Sequence, residues 1–153
     1  MLIADLKHRN LHLENNYSNL YYPELVHLLA ILRERELPET VVASINKEIH
    51  ELNALPDENP ELNRLVKKKQ TAIVKIIAAE ANLVTLGHYQ SQWTALGLAS
   101  FGIPFGLLLG MLLKNMGMMA LGLPFGLVLG SLVGKKLDRK AMEEDRQLPI
   151  QLK

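Results

Sequence analysis

Apolar positions change their period part-way along this chain. Up to residue 84 they recur at steps of three and four among charged residues, whereas beyond residue 94 they run together. In the first part, Leu25, Leu28, Leu29 and Leu32 give one apolar face to a helix over residues 24–36, and Pro23 is suited to its start. Pro38 opens a second helix, on which Val41, Val42, Ile45, Ile49 and Leu52 repeat the spacing. The stretch LPDENP at residues 55–60 is a turn rich in helix breakers.

A third helix is expected from Glu61, with Leu62, Leu65/Val66, Ile73, Ile76/Ile77 and Leu83/Val84 in a rough heptad. Lys69 stands where that seam calls for an apolar residue, so it either weakens the seam or sets its register. The short turn makes the second and third helices an antiparallel hairpin. Only Gly87 interrupts the pattern between Thr71 and Trp93, so the third helix is expected to continue into the apolar stretch as one rod. Leu2, Leu6, Leu11 and Leu13 permit a further short helix at the start.

The apolar part contains a repeat. GIPFGLLLGMLL at residues 102–113 and GLPFGLVLGSLV at residues 122–133 match at eight of twelve positions, twenty residues apart. Residues 95–113 and 116–134 carry no charge, and roughly 20 helical residues cross a hydrocarbon core of about 30 Å. Ten Leu, Ile and Phe residues in the first stretch contribute on the order of −3 to −6 kcal/mol to insertion. Eight Leu, Phe and Val residues in the second contribute roughly −2 to −5 kcal/mol. A single helix over both would far exceed a bilayer, so a two-span hairpin is expected.

Gly102, Gly106 and Gly110 form one stripe on the first span, and Gly122, Gly126, Gly130 and Gly134 form another on the second. In lipid, association gains little from hydrophobicity, and close backbone approach with van der Waals and Cα–H contacts takes over. The two stripes are therefore expected to be helix-packing faces. Pro104 and Pro124 occupy the same place in the two repeats, and each should kink its helix. Those kinks serve either to fit helices together or, in an oligomer, to form a pore constriction. Two copies of one span run in opposite directions, a small inverted-topology pair, and two helices alone enclose no pathway.

Charge decides the expected orientation. Lys135 and Lys136, with Arg139 and Lys140, follow the second span, while the turn holds Lys114 alone. Both termini should then face the cytoplasm, with Trp93 an interfacial anchor alongside those lysines. MLIADLKHRNLHLENN turns polar too early for a secretory leader, which agrees with that orientation. The expected organisation is a helical cytoplasmic domain at residues 1–90, the transmembrane hairpin at 91–134 and a charged cytoplasmic tail at 135–153. The fold class is all-α.

Composition removes several kinds of chemistry. The absence of cysteine excludes disulfides, thiolate metal sites and cysteine nucleophiles, and a net charge of +1 offers no footprint for nucleic acid. His8 and His12 lie four residues apart with no third ligand nearby, so a solvated face is the simpler reading than a metal site. HELNAL at residues 50–55 lacks the second histidine of a zinc-protease helix. Asp57, Glu58 and Glu61 suit a turn and a helix start, KKKQ at residues 67–70 a solvated face, and DRKAMEEDR a charged helix extension. No phosphate loop, dinucleotide fingerprint or nucleophile elbow is present. The expectation is a non-enzyme with no cofactor, no metal and no small-molecule substrate.

The stretch GHYQSQWTALGLASFGIPFGLLLGMLLKNMGMMALGLPFGLVLGSLVGKKLDRKAMEEDRQL resembles small bacterial glycine-zipper membrane proteins. The likeness covers roughly residues 88–148 and rests on the paired glycine spans and the basic-acidic tail. Asp145 stands where that tail usually has glycine. The resemblance implies residence in the bacterial inner membrane and the two-span architecture, and implies no activity. The function expected is that of a scaffold or accessory subunit, self-associating or packing with a membrane-protein partner through its glycine faces. The alternative is a homo-oligomeric pore or membrane-permeabilising protein.

Overall fold

Prolines and short breaker-rich turns punctuate the chain in the computed structural model, which describes residues 2–9, 21–56 and 59–152. The fold is all-α: among the described residues, three shorter helices precede two long apolar helices packed as a hairpin. The shorter helices are α1 (Tyr21–Arg33), α2 (Glu39–Asn53) and α3 (Leu62–Glu80). Pro23 lies in the first turn of α1, while Pro38 and Glu61 are the N-cap residues of α2 and α3. The missing proline N–H costs nothing at these positions, because first-turn amides have no intrahelical acceptor.

Two compact units divide the chain. One comprises residues 1–84 and 148–153, the other residues 85–147. Among the described residues, the apolar core of the first is built from Ile3, from Leu25, Leu28, Leu29 and Leu32 of α1, Val41, Ile45, Ile49 and Leu52 of α2, and Leu62, Val66, Ile73 and Ile77 of α3. Each of these side chains contributes about 1.5–3 kcal/mol by leaving water. Leu148 and Ile150 also join this core, so the end of the chain belongs to the first unit's packing.

Lys69 of α3 pairs with two carboxylates of α2. Its Nζ lies 2.8 Å from Glu48 Oε2 and also meets Glu51 Oε2, with 16% of its side chain exposed. Gln70, one residue on, takes the buried position of the seam. Burial alone would lower the Lys69 ammonium's affinity for its proton. The hydrogen bonds and charges of Glu48 and Glu51 outweigh that and raise its pKa above the ordinary 10.5.

Two expectations are corrected here. The third helix does not run on into the apolar stretch: it ends at Glu80, and Asn82 adopts φ 54°, a left-handed conformation that stops a helix. A two-residue strand, β1 (Val84–Thr85), follows, then Gly87 at φ 73°; β1 pairs with β2 (Gln147–Leu148). Residues 2–9 form no helix but an extended segment along α2, and Leu11, His12 and Leu13 lie outside the described residues. Asp57 and Glu58 also lie outside them.

In the second unit, the first apolar helix consists of α4 (His88–Gly97), a π-helical turn at Leu98–Gly102 and α5 (Ile103–Leu112). The second consists of a 3₁₀ stretch at Met116–Leu121 and α6 (Gly122–Glu143). Each runs past its expected span at one end, the first beginning at His88 and the second ending at Glu143, so the first part of the charged tail is helical.

Candidate functional site

The glycine rows meet each other inside one chain. A Cβ on Gly97 would lie 2.5 Å from Gly126 O and 2.7 Å from Gly130 Cα, and one on Gly126 would lie 2.6 Å from Gly102 Cα. Gly102 faces Gly122 O, at 3.1 Å from its virtual Cβ. Gly106 and Gly122 also lie against facing backbone, Gly106 on Met119 and Gly122 on Gly102 and Gly106. Farther along, Gly130 rests on the main chain of Trp93 and Thr94, and Gly134 on that of Tyr89 and Gln90. Gly110 is looser, with its nearest neighbour, Met116 Sδ, at 3.5 Å. Side chains larger than hydrogen would hold the backbones apart along nearly the whole seam. An association between copies through these faces would have to open it.

Gly97 was not among the residues expected to pack. Five residues separate it from Gly102, and in an α-helix that step rotates a residue about 140° away from the starting face. The π turn removes the discrepancy. Ile103 N–H bonds to Leu98 O, five residues back, and the wider turn brings Gly97 and Gly102 onto one face. Pro104 follows immediately and has no N–H to donate, so the helix irregularity expected from it takes the form of this π turn. The second proline differs: Pro124 lies in the first turn of α6, just after the 3₁₀ stretch. Phe105 and Phe125, each following its proline, stack with ring centroids 4.9 Å apart.

Both ends of the hairpin are closed by specific bonds. At the turn, Lys114 takes φ 49°, Asn115 N–H bonds to Gly110 O at 3.1 Å, and Lys114 N–H bonds to Met111 O at 3.3 Å. This is a Schellman closure, and Asn115 Oδ1 then accepts Gly117 N–H at 3.0 Å to start the second helix. At the open end, the Asp138 carboxylate of α6 accepts Tyr89 N–H at 3.0 Å and Gln90 N–H at 2.9 Å. α4 is thus capped by a side chain of the opposite helix, where its dipole favours negative charge.

Asp145 closes α6 as Lys114 closes α5. Its φ is 53°, and Arg146 N–H bonds back to Ala141 O at 2.9 Å, so aspartate serves here in the left-handed place that glycine usually takes. Arg146 hydrogen-bonds Glu144, which lowers the Glu144 pKa; Glu144 and then the Tyr89 side chain raise that of Arg146.

The outer surface of the hairpin is apolar. Phe101 is 57% exposed, Leu108 54%, Leu112 71% and Leu132 61%, and only a minor part of either apolar helix is buried. Lys114, Lys135 and Lys136 are exposed at the ends, and Trp93 is 37% exposed while its carbonyl abuts Gly130. Among the described residues no group of three His, Asp or Glu side chains converges. Compared with protein-family models, curated proteins and solved structures, the chain matches none.

Proposed function

We propose that this chain is an integral membrane protein whose glycine-seamed hairpin anchors the N-terminal helical unit, acting as a scaffold or accessory subunit without catalysis. The carrying observation is the outward apolar surface on helices of 25 and 28 residues, each long enough to span about 30 Å of hydrocarbon. In water such a surface would exceed the few hundred Å² that soluble monomers display. The lysines at the α6 end favour cytoplasmic termini, and the resemblance to glycine-zipper proteins favours the bacterial inner membrane. Because the seam occupies the glycine faces within one chain, association with another copy or a partner would use the outward Leu and Phe ridges.

Carbonate extraction tests the anchor. The protein should stay with the pelleted membranes, and recovery in the supernatant would refute the reading. The mass of the detergent-solubilised complex then tests association, with a mass above one chain expected. In planar bilayers the purified protein should be silent if it acts as a scaffold; reproducible unitary currents would favour the pore instead.

A further inference from the structure

Residues 2–9 are held to α2 by side chains that read their main chain. Asn46 Oδ1 accepts Ala4 N–H at 2.7 Å while Asn46 Nδ2 donates to Leu2 O at 3.0 Å. Asn53 repeats the pattern, accepting Lys7 N–H at 2.8 Å and donating to Asp5 O at 2.9 Å. Each amide thus brackets one residue, first Ile3 and then Leu6. The spacings agree: seven residues of helix rise about 10.5 Å, and three residues of extended chain cover about 10 Å.

Ile3 is buried and Leu6 half-buried, and one further step of three brings Arg9, which is also buried. Its Nη2 donates to Leu52 O at 2.7 Å and Leu55 O at 2.9 Å, carbonyls at the negative end of α2. From α1, Arg33 Nη2 donates to Ala4 O at 2.8 Å, and the Tyr22 hydroxyl donates to Lys7 O. A cleft of about 630 Å³ remains beside the segment, lined by Leu6, Tyr22, Val26 and His27 among others. Ile3 joins the core shared with α1, α2 and α3, and Leu6 packs against it, so the segment is held by apolar side chains as well as through its main chain.

We propose that this face of α1 and α2 is a binding groove for an extended peptide of the pattern aliphatic-x-x-aliphatic-x-x-arginine. Its occupant here is the chain's own residues 2–9, and it is exchangeable with the same segment of a second copy. Amides that read main chain do not distinguish which chain supplies it, and every copy carries a matching segment. Confinement of copies to one membrane would raise their effective concentration. Only that last step rests on the membrane reading; the groove is tested in detergent, so a failed carbonate extraction leaves its test intact.

The probe is a fluorescent synthetic peptide, LIADLKHR, titrated by anisotropy against the full chain carrying Ile3→Asp and Arg9→Ala, which vacate the groove. Saturable binding is expected. Adding Asn46→Ala or Asn53→Ala should weaken it about tenfold each. A flat titration on a vacated chain that keeps its helical circular dichroism, or binding indifferent to both asparagines, overturns the proposal. Should the vacated chain lose its helical signal, the wild-type chain decides. Excess unlabelled peptide should speed hydrogen exchange at the Ala4 and Lys7 amides, and unchanged protection there overturns the proposal equally.

Discussion

Gly126 lies so close to Gly102 that a methyl group on it would stand 2.6 Å from the Gly102 Cα, nearer than non-bonded carbons approach. The atoms it meets are backbone and cannot swing aside. The distance therefore measures how much of the hairpin depends on the absence of a side chain.

Replacing Gly126 by alanine should destabilise the hairpin by about 1–3 kcal/mol, the range for forcing a methyl into a packed seam. At Gly110 the added methyl meets only Met116 Sδ, at 3.5 Å, so Gly110→Ala should be neutral or gain up to about 1 kcal/mol from helix propensity. Thermal melts of both variants in one detergent check this. An equal fall in Tm at the two positions would show that the seam does not control stability.

Asp138→Ala should free two amides at the start of α4 and cost about 1–2 kcal/mol. Asp138→Asn retains one good acceptor and should cost less. Amide exchange at Tyr89 and Gln90 reads the cap directly, and it should accelerate in the alanine variant while amides of α5 stay unchanged.

The pairing of Lys69 with Glu48 and Glu51 predicts two pH limits of opposite sign. The Glu51 pKa is lowered from 4.5, chiefly by its hydrogen bond from Lys69, so the stability it contributes is present above that value and lost as pH falls through the lowered one. The Lys69 pKa is raised above 10.5, so its contribution is complete below that value and lost as pH rises through the raised one. Between these limits stability should be flat with respect to this cluster. Chemical denaturation of the wild type and of Glu51→Gln across pH checks it: the variant should show a shallower acid slope, and identical slopes would contradict the assignment.

How much of this was legible in the sequence depends on whether a feature follows the regular periods. Pro23, Pro38 and Glu61 lie at or near helix starts because proline's missing amide and the helix dipole are local effects. The all-α fold and apolar hairpin were legible for the same reason. Gly97 was hidden because its five-residue step to Gly102 matches no α-helical face until the π turn is known. The end of α3 was hidden because Asn82 and Gly87 are each compatible with a helix alone, and their left-handed φ values emerge only from the fold. Leu148 and Ile150 sit beyond a charged stretch, and their place in the first unit's core is a long-range contact that no local pattern encodes. Asn46 and Asn53 read as ordinary polar helix positions, since their partner is a distant segment with no period of its own.

Two substitutions should move stability in opposite directions through the backbone alone. Gly87 has φ 73°, and a Cβ there would meet nothing within 4 Å, so Gly87→Ala carries no clash but places an L-residue in the left-handed region, at about 1 kcal/mol. Lys114 already bears that strain at φ 49°, as the residue that closes α5. Lys114→Gly should relieve it, and after the extra freedom of glycine in the unfolded chain is deducted, a net gain of about 0.5 kcal/mol is expected. Because neither change alters a packed contact, melts in a single detergent should show Tm falling for Gly87→Ala and rising for Lys114→Gly. Two shifts of the same sign would mean that side-chain contacts, and not left-handed backbone, govern these two turns.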